Sequence, residues 1–151
     1  MESEKPAAKQ MRSVYRNLSP LDHRYFLSNR RTFEALSDYL SEDAVIRYLL
    51  RVETALLKAH LSRSGTPDPS RLKDVESIEG VVSPEEVYAE EEKTQHNIRA
   101  LVNVMKRKIP EDMRNLVHAG ATSADILDTA QSLRVRDAVR NVVLPELRRL
   151  L

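Results

Sequence analysis

The chain has 151 residues, enough for one domain with a core of its own, and 41% of them are apolar, too many for a disordered chain. Lys and Arg number 24 against 23 Asp and Glu, which leaves no broad basic face for nucleic acid. Cysteine is absent, no two of the four His are spaced HxxxH for zinc, and no apolar run approaches the ~20 residues of a membrane span. Only 3 Gly are present, and a β-rich chain needs more turn glycines than that, so the expectation is an all-α fold.

Residues 1–17 are polar and mixed in charge, without a signal-peptide core, and read as a loose tail before a domain over 18–151. Phe33, Leu36 and Leu40 predict a short helix from about Ser28. Ser41-Glu42-Asp43 opens the next, with Ser41 as N-cap and acids in the first turn. Val45, Leu49, Val52, Leu56 and Ala59 form its expected buried stripe, and Gly65 and Pro67 stop it. Ser70 to Ile78 reads as another short helix, bounded by Pro69 and Gly80.

Ser83-Pro84-Glu85-Glu86 combines an N-cap, a Pro at the first helical position and a Glu three residues after the cap. The predicted helix runs to about Lys108, with a seam of Val87, Glu91, Thr94, Ile98, Leu101 and Met105. The N-terminal half of that seam is polar, which marks an edge or a site. Val117 to Ala121 is a short loop, and Thr122-Ser123-Ala124-Asp125 reads as a capping box before a long helix. Ala130, Leu133, Val139, Val142 and Leu147 lie on its apolar faces. Pro145 lacks an N–H and crowds the carbonyl of Asn141, so a kink is expected there. That helix is still running at Leu151, as if the chain stopped inside an element.

Three segments carry candidate chemistry. In Ser19-Pro20-Leu21-Asp22-His23-Arg24-Tyr25, Arg24 offers a planar fork of donors for phosphate or carboxylate and Tyr25 adds a hydroxyl. Taken alone, such a pair is ordinary surface packing. In Glu92-Lys93-Thr94-Gln95-His96-Asn97, a continuous helix puts Glu92, His96, Arg99 and Asn103 on one face. That face is either plain solvated surface or the wall of a cleft. In His118-Ala119-Gly120-Ala121-Thr122-Ser123-Ala124-Asp125, Gly120 permits a tight turn or a close approach to a ligand. Thr122 and Ser123 place two hydroxyls at a helix N-terminus, where free N–H groups favour an anion. An ordinary N-cap needs only one hydroxyl, so spacing alone leaves both readings open.

The order of these segments resembles the adenylosuccinate lyase family of the fumarase/aspartase superfamily, from about Ser19 to Leu151. Ser19 to Tyr25 is similar to the family's SPxxxRY opening, and Thr94 to Asn97 to its TxHD segment. His118 to Thr129 is similar to its HxGxTSxDxxDT block. Fumarases and argininosuccinate lyases differ in that block, and carboxymuconate-type cycloisomerases share its GATS core without the Arg-Tyr opening. Asn97 departs from the family's Asp: it keeps the shape and one acceptor but loses the charge.

The resemblance implies the helical N-terminal domain of the lyase fold, ending in the start of the long central-bundle helix. It implies fumarate elimination from adenylosuccinate and from succinylaminoimidazole carboxamide ribotide in purine biosynthesis, with no cofactor and no metal. Arg24 and Tyr25 would hold the phosphate end, and Gln95, His96 and Asn97 would line the substrate site. Thr122 and Ser123 would hold the succinyl carboxylates, with His118 and His96 in supporting catalytic roles. The family's general acid, a His, and its base, a Ser on a mobile loop, belong to later segments, and its sites are assembled from three subunits of a tetramer. The expectation is a cytoplasmic homo-oligomer acting on a small nucleotide, with no nucleic acid or membrane partner, and a 151-residue piece inactive by itself. The alternatives are a related lyase or cycloisomerase, or a helical interaction module in which no shared cleft joins Arg24, His96 and Ser123.

Overall fold

The computed structural model describes residues 14–18, 25–63 and 68–151. Within them the fold is built from helices and contains no strand. A single 3-10 turn, Val14–Arg16, precedes α1 (Arg30–Leu40), α2 (Glu42–Arg63), α3 (Pro69–Val81), α4 (Pro84–Thr94) and α5 (Asn97–Lys108). A 3-10 segment, Glu111–Leu116, then leads to α6 (Ser123–Ala138), a π-helical stretch, Val139–Val143, and α7 (Leu144–Leu150).

Local signals account for most of the helix starts. The Ser41 hydroxyl accepts the Ala44 N–H at 3.3 Å and donates to the Ser37 carbonyl at 2.6 Å, turning the chain from α1 into α2. Asp68 caps α3 through the Ser70 N–H at 2.9 Å, with Pro69 at the first helical position. Ser83 and Glu86 exchange the two bonds of the expected capping box, each at 3.3 Å. Gly80 does not bound α3. The helix continues to Val81, because a helical Gly costs only ~1 kcal/mol and Val75 and Ile78 are fully buried.

Helix α2 runs through the middle of the molecule. Its buried line is Ile46, Leu50, Glu53 and Leu57, one step round the helix from the predicted stripe. Leu49 is buried, Val45, Val52 and Leu56 sit on the shoulder, and Ala59 is exposed. The shift follows from α2 having neighbours on several sides: it packs on α6, α3, α1 and α4. Pairings along its length show that α6 and α3 run antiparallel to it. Tyr48 donates to Asp137 at 2.9 Å, while His60 lies 2.9 Å from the Ala119 carbonyl, before α6 begins. Lys58 pairs with Glu76 and Thr54 with Glu79 on α3. Leu101, Met105 and Met113 complete the centre, all fully buried, and each such side chain contributes about 1.5–3 kcal/mol.

The single long helix expected from Ser83 to Lys108 is two helices folded back on each other. Gln95 adopts φ 52°, and its N–H bonds to Glu91 at 2.7 Å, ending α4. His96 then caps α5: its ring Nδ1 accepts the Arg99 N–H at 3.2 Å. Glu90 accepts from Asn103 at 2.9 Å and pairs with Arg107, and Lys108 reaches Glu86 at 2.7 Å. These bonds tie the arms of a tight αα-hairpin, so α5 can bury Ile98, Leu101, Val104 and Met105. At the other end, the disturbance expected near Pro145 takes the form of the π stretch. The Leu144 N–H bonds to the Val139 carbonyl, five residues back, which absorbs the donor missing at Pro145.

The Gln95 turn separates the two readings of this segment. In a left-handed position a side chain costs about 1–2 kcal/mol, partly offset by the greater freedom glycine loses on folding. Gln95→Gly should therefore raise stability by about 0.5–1 kcal/mol in urea denaturation. In a continuous helix the same change should lower it by ~1 kcal/mol.

Candidate functional site

The α4–α5 turn and the start of α6 meet at a cavity of about 440 Å³. Ile98 and Val102 give it an apolar wall, and Thr94, His96, Arg99, His118 and Ser123 give it polar edges. His96, His118 and Ser123 thus share one space, although they come from chain segments separated by a whole helix. Thr94 is held by donating to the His96 carbonyl at 3.1 Å.

Because His96 Nδ1 accepts a backbone N–H, the neutral ring carries its proton on Nε2. The ring atom left over is therefore a donor, on a residue that lines the cavity. Gln95 and Asn97 do not line the cavity. The left-handed turn sends Gln95 to the other side of α4, where its amide donates to Glu92 and it borders a second hollow with Tyr88 and Glu91. Asn97 is exposed, and its side-chain oxygen accepts the Ile98 N–H at 2.7 Å. Tyr25 is 46% exposed and outside the cavity lining, and Arg24 lies outside the described residues.

His118 has φ 62° and Gly120 φ 71°, so the turn before α6 contains two left-handed residues. This is where glycine is needed: at Gly120 there is room for a Cβ, but the backbone angle disfavours one. The strained His118 backbone is held by its side chain. Nδ1 lies 2.6 Å from Oε1 of Glu53, whose side chain is fully buried on α2. Oε2 of Glu53 has no hydrogen-bond partner. Burial pushes the Glu53 carboxyl above its ordinary value, and the His118 contact pulls it partly back.

Thr122 and Ser123 part company at the N-terminus of α6. The N–H and hydroxyl of Thr122 both donate to Oδ2 of Asp125, at 2.8 and 3.0 Å. Those two bonds hold the Asp125 carboxyl below its usual range. Thr122 serves the cap and is absent from the cavity wall, while Ser123, one residue on, lines it. Around the cavity the charge is positive or neutral. Arg99 makes no side-chain hydrogen bond or ion pair among the described residues, and no acidic side chain lines the wall. Such a space suits an anion with an apolar body, next to free N–H groups at a helix start.

Comparison with known proteins finds similarity to adenylosuccinate lyases over most of the chain. An adenylosuccinate lyase of Archaeoglobus fulgidus is 35% identical over 121 residues, covering 80% of this chain. One of Pyrococcus abyssi is 34% identical over 136 residues, and one of Dictyostelium discoideum 27% over 146, each covering 87% of the chain. By sequence the chain is similar to part of these adenylosuccinate lyases. It spans 25% to 30% of the length of these relatives. No family model matches it. Among the described residues, no helix is long and apolar enough to cross a membrane, and no group of three or more acidic or imidazole side chains is placed to hold a metal.

Sequence reasoning did not single out two residues at or next to the cavity, Glu53 and Arg99, as site residues. Glu53 left a readable signal: it interrupts the apolar line Ile46, Leu50, Leu57 at the position a core residue should fill. Arg99 was placed on a face with His96 through a continuous helix that the Gln95 turn breaks. It reaches the same cavity because His96 caps its helix.

Removing His118 should expose the cost of the buried carboxylate. His118→Ala leaves neither Glu53 oxygen with a partner, and breaking a buried pair costs about 3–5 kcal/mol near neutral pH. In that variant only burial acts on Glu53, so its folded pKa stands above the unfolded value. The associated stability is present below the ordinary 4.5 and is lost as pH rises through the folded pKa. Urea melts of both proteins at acid and neutral pH should show a difference that grows with pH. A difference independent of pH would rule out this account.

Proposed function

We propose that this chain supplies one wall of the substrate site of an adenylosuccinate lyase. The reaction eliminates fumarate from adenylosuccinate, leaving AMP, or from succinylaminoimidazole carboxamide ribotide, leaving the free carboxamide. A base takes a proton from the carbon beside a carboxylate. The carbon–carbon double bond forms as the C–N bond breaks, and an acid protonates the departing nitrogen. Charge grows on the carboxylate during this step, so donors fixed around it lower the barrier.

The observation that carries this reading is the meeting of His96, His118 and Ser123, from two separate family motifs, at one cavity without an acidic lining. An interaction module with chance motifs has no reason to bring them together. Ser123 and the free N–H groups of α6 hold a succinyl carboxylate, His96 donates Nε2–H, and Arg99 adds an unpaired guanidinium. His118 stands beside them as a supporting catalytic group. Thr122 acts through the cap that orients Ser123. Gln95 and Asn97 shape the turn that presents His96, and Arg24 and Tyr25 take the phosphate end. The general acid and base come from parts of the family's length that this chain does not span.

The assembled enzyme is a cytoplasmic homotetramer in this reading. The outward faces of α6, the π stretch and α7 support it: Val135, Val139, Val143 and Leu147 are 38–51% exposed at helical spacing. Such a line suits the long bundle helix that these residues would begin.

Titrating the labelled chain with adenylosuccinate tests the site directly. Amide and imidazole signals of His96, Arg99, His118 and Ser123 should shift together, and Ser123→Ala should weaken binding with little loss of stability. Thr122→Ala should instead cost ~1 kcal/mol of stability, as a lost cap does. Absence of any shift at millimolar ligand sinks the site assignment. In the fumarate-release assay the 151-residue chain should show no turnover, because the family's general acid and base belong to parts of the length that this chain does not span.

A further inference from the structure

We infer that Glu53 is a positioning residue that keeps Nδ1 of His118 occupied, so that His118 exchanges protons with the cavity through Nε2 alone. The contact is short, 2.6 Å, and the Glu53 side chain is wholly shielded from water. His118 is the one side chain bonded to it among the described residues, and the neighbouring Thr54 hydroxyl is engaged by Glu79 and by the Arg51 carbonyl. An ionised carboxylate only accepts, so the hydrogen between the two groups lies on the line from Nδ1 to Oε1. If that proton moves to the carboxyl, it stays on the same line. In both cases the free end of the ring is Nε2, on a residue that lines the cavity. The backbone holds this aim, since φ 62° at His118 and the His60 contact to the Ala119 carbonyl fix the turn from the other side.

A consequence follows for the ligand. His96 accepts at Nδ1 and therefore presents Nε2–H. With Glu53 ionised, neutral His118 is fixed the other way and presents a bare Nε2. Two imidazoles at one cavity are held in opposite tautomers, one by a helix N-terminus and one by a buried carboxylate. The pair fits a ligand with an acceptor atom close to an atom bearing a proton, such as a carboxylate beside a secondary amine. This ligand class rests on the reading of the cavity as a substrate site.

Long-range proton–nitrogen spectra of the histidine-labelled chain, without substrate, test the tautomers at about pH 9, above the ordinary histidine range. His118 should hold its proton on Nδ1 and His96 on Nε2. In Glu53→Leu, which leaves no acceptor at that position, the His118 signals should move toward the Nε2–H form favoured by free imidazole, with His96 unchanged. A wild-type His118 with bare Nδ1 overturns the inference, as does a folded Glu53→Leu protein that keeps the wild-type tautomer. The wild-type spectrum decides even if the variant does not fold. Because no substrate is present, this outcome is separate from a failure of adenylosuccinate to bind.

Discussion

The contact between Glu53 and His118 joins the core to the cavity. Glu53 occupies a core position of α2, between Leu50 and Leu57, where an apolar residue would pack at no electrostatic cost. A carboxyl buried there is stabilising only if something satisfies it, and the imidazole of His118 does so at one oxygen. The backbone of His118 belongs to a turn with two left-handed residues. The turn sets where α6 begins, and with it where Ser123 and the free N–H groups of the first turn stand. One buried pair therefore registers the central helix against the helix start that lines the cavity.

The second constraint is the break between α4 and α5. A straight helix would carry His96 on a solvated side and leave half of its seam polar. The left-handed Gln95 ends α4, and His96 opens α5 with its own ring, so the residue that caps the helix is also the one that lines the cavity. The cross-links from Glu90 to Asn103 and Arg107 hold the hairpin shut, and they hold the Glu90 carboxyl below its ordinary value, the Asn103 amide most of all. Arg99 follows one turn later and finds no acidic partner among the described residues. A guanidinium left unpaired in a wall shared with two imidazoles gives the cavity a lining whose charge suits an anion.

What could be read from the sequence was what local chemistry decides. Ser41, Ser83 and Thr122 cap helices within three residues of themselves, and Pro145 acts on the turn before it, so their effects were visible without the fold. The break at Gln95 was not, because no glycine or proline marks it and the helical spacing from Val87 to Met105 runs on, with only the polar half of the seam as a signal. The buried line of α2 was placed one step round the helix, since several helices press on it and spacing alone cannot say which neighbour presses hardest. For the candidate site, His96, His118 and Ser123 were legible as motif residues and share the cavity. Gln95, Asn97 and Thr122 were legible too, but their side chains are spent on the turn and the caps. Their place beside a motif residue did not give them its direction.

That division bears on how such a site is built. At the start of α6, two adjacent hydroxyls have different duties: Thr122 binds Asp125 twice, and the rigid cap leaves Ser123 facing the cavity. At the start of α5, a ring nitrogen does the capping and the rest of the same ring lines the wall. In the turn before α6, a carboxylate from another helix plays the corresponding part for His118. In each case one polar group is fixed by a bond to the fold, and the group beside it, or its own far end, is left for a ligand. A donor held in this way loses little freedom when an anion arrives, which is the physical condition for stabilising charge that grows during a reaction. The cavity is thus ordered by the folding of helices α2, α4, α5 and α6.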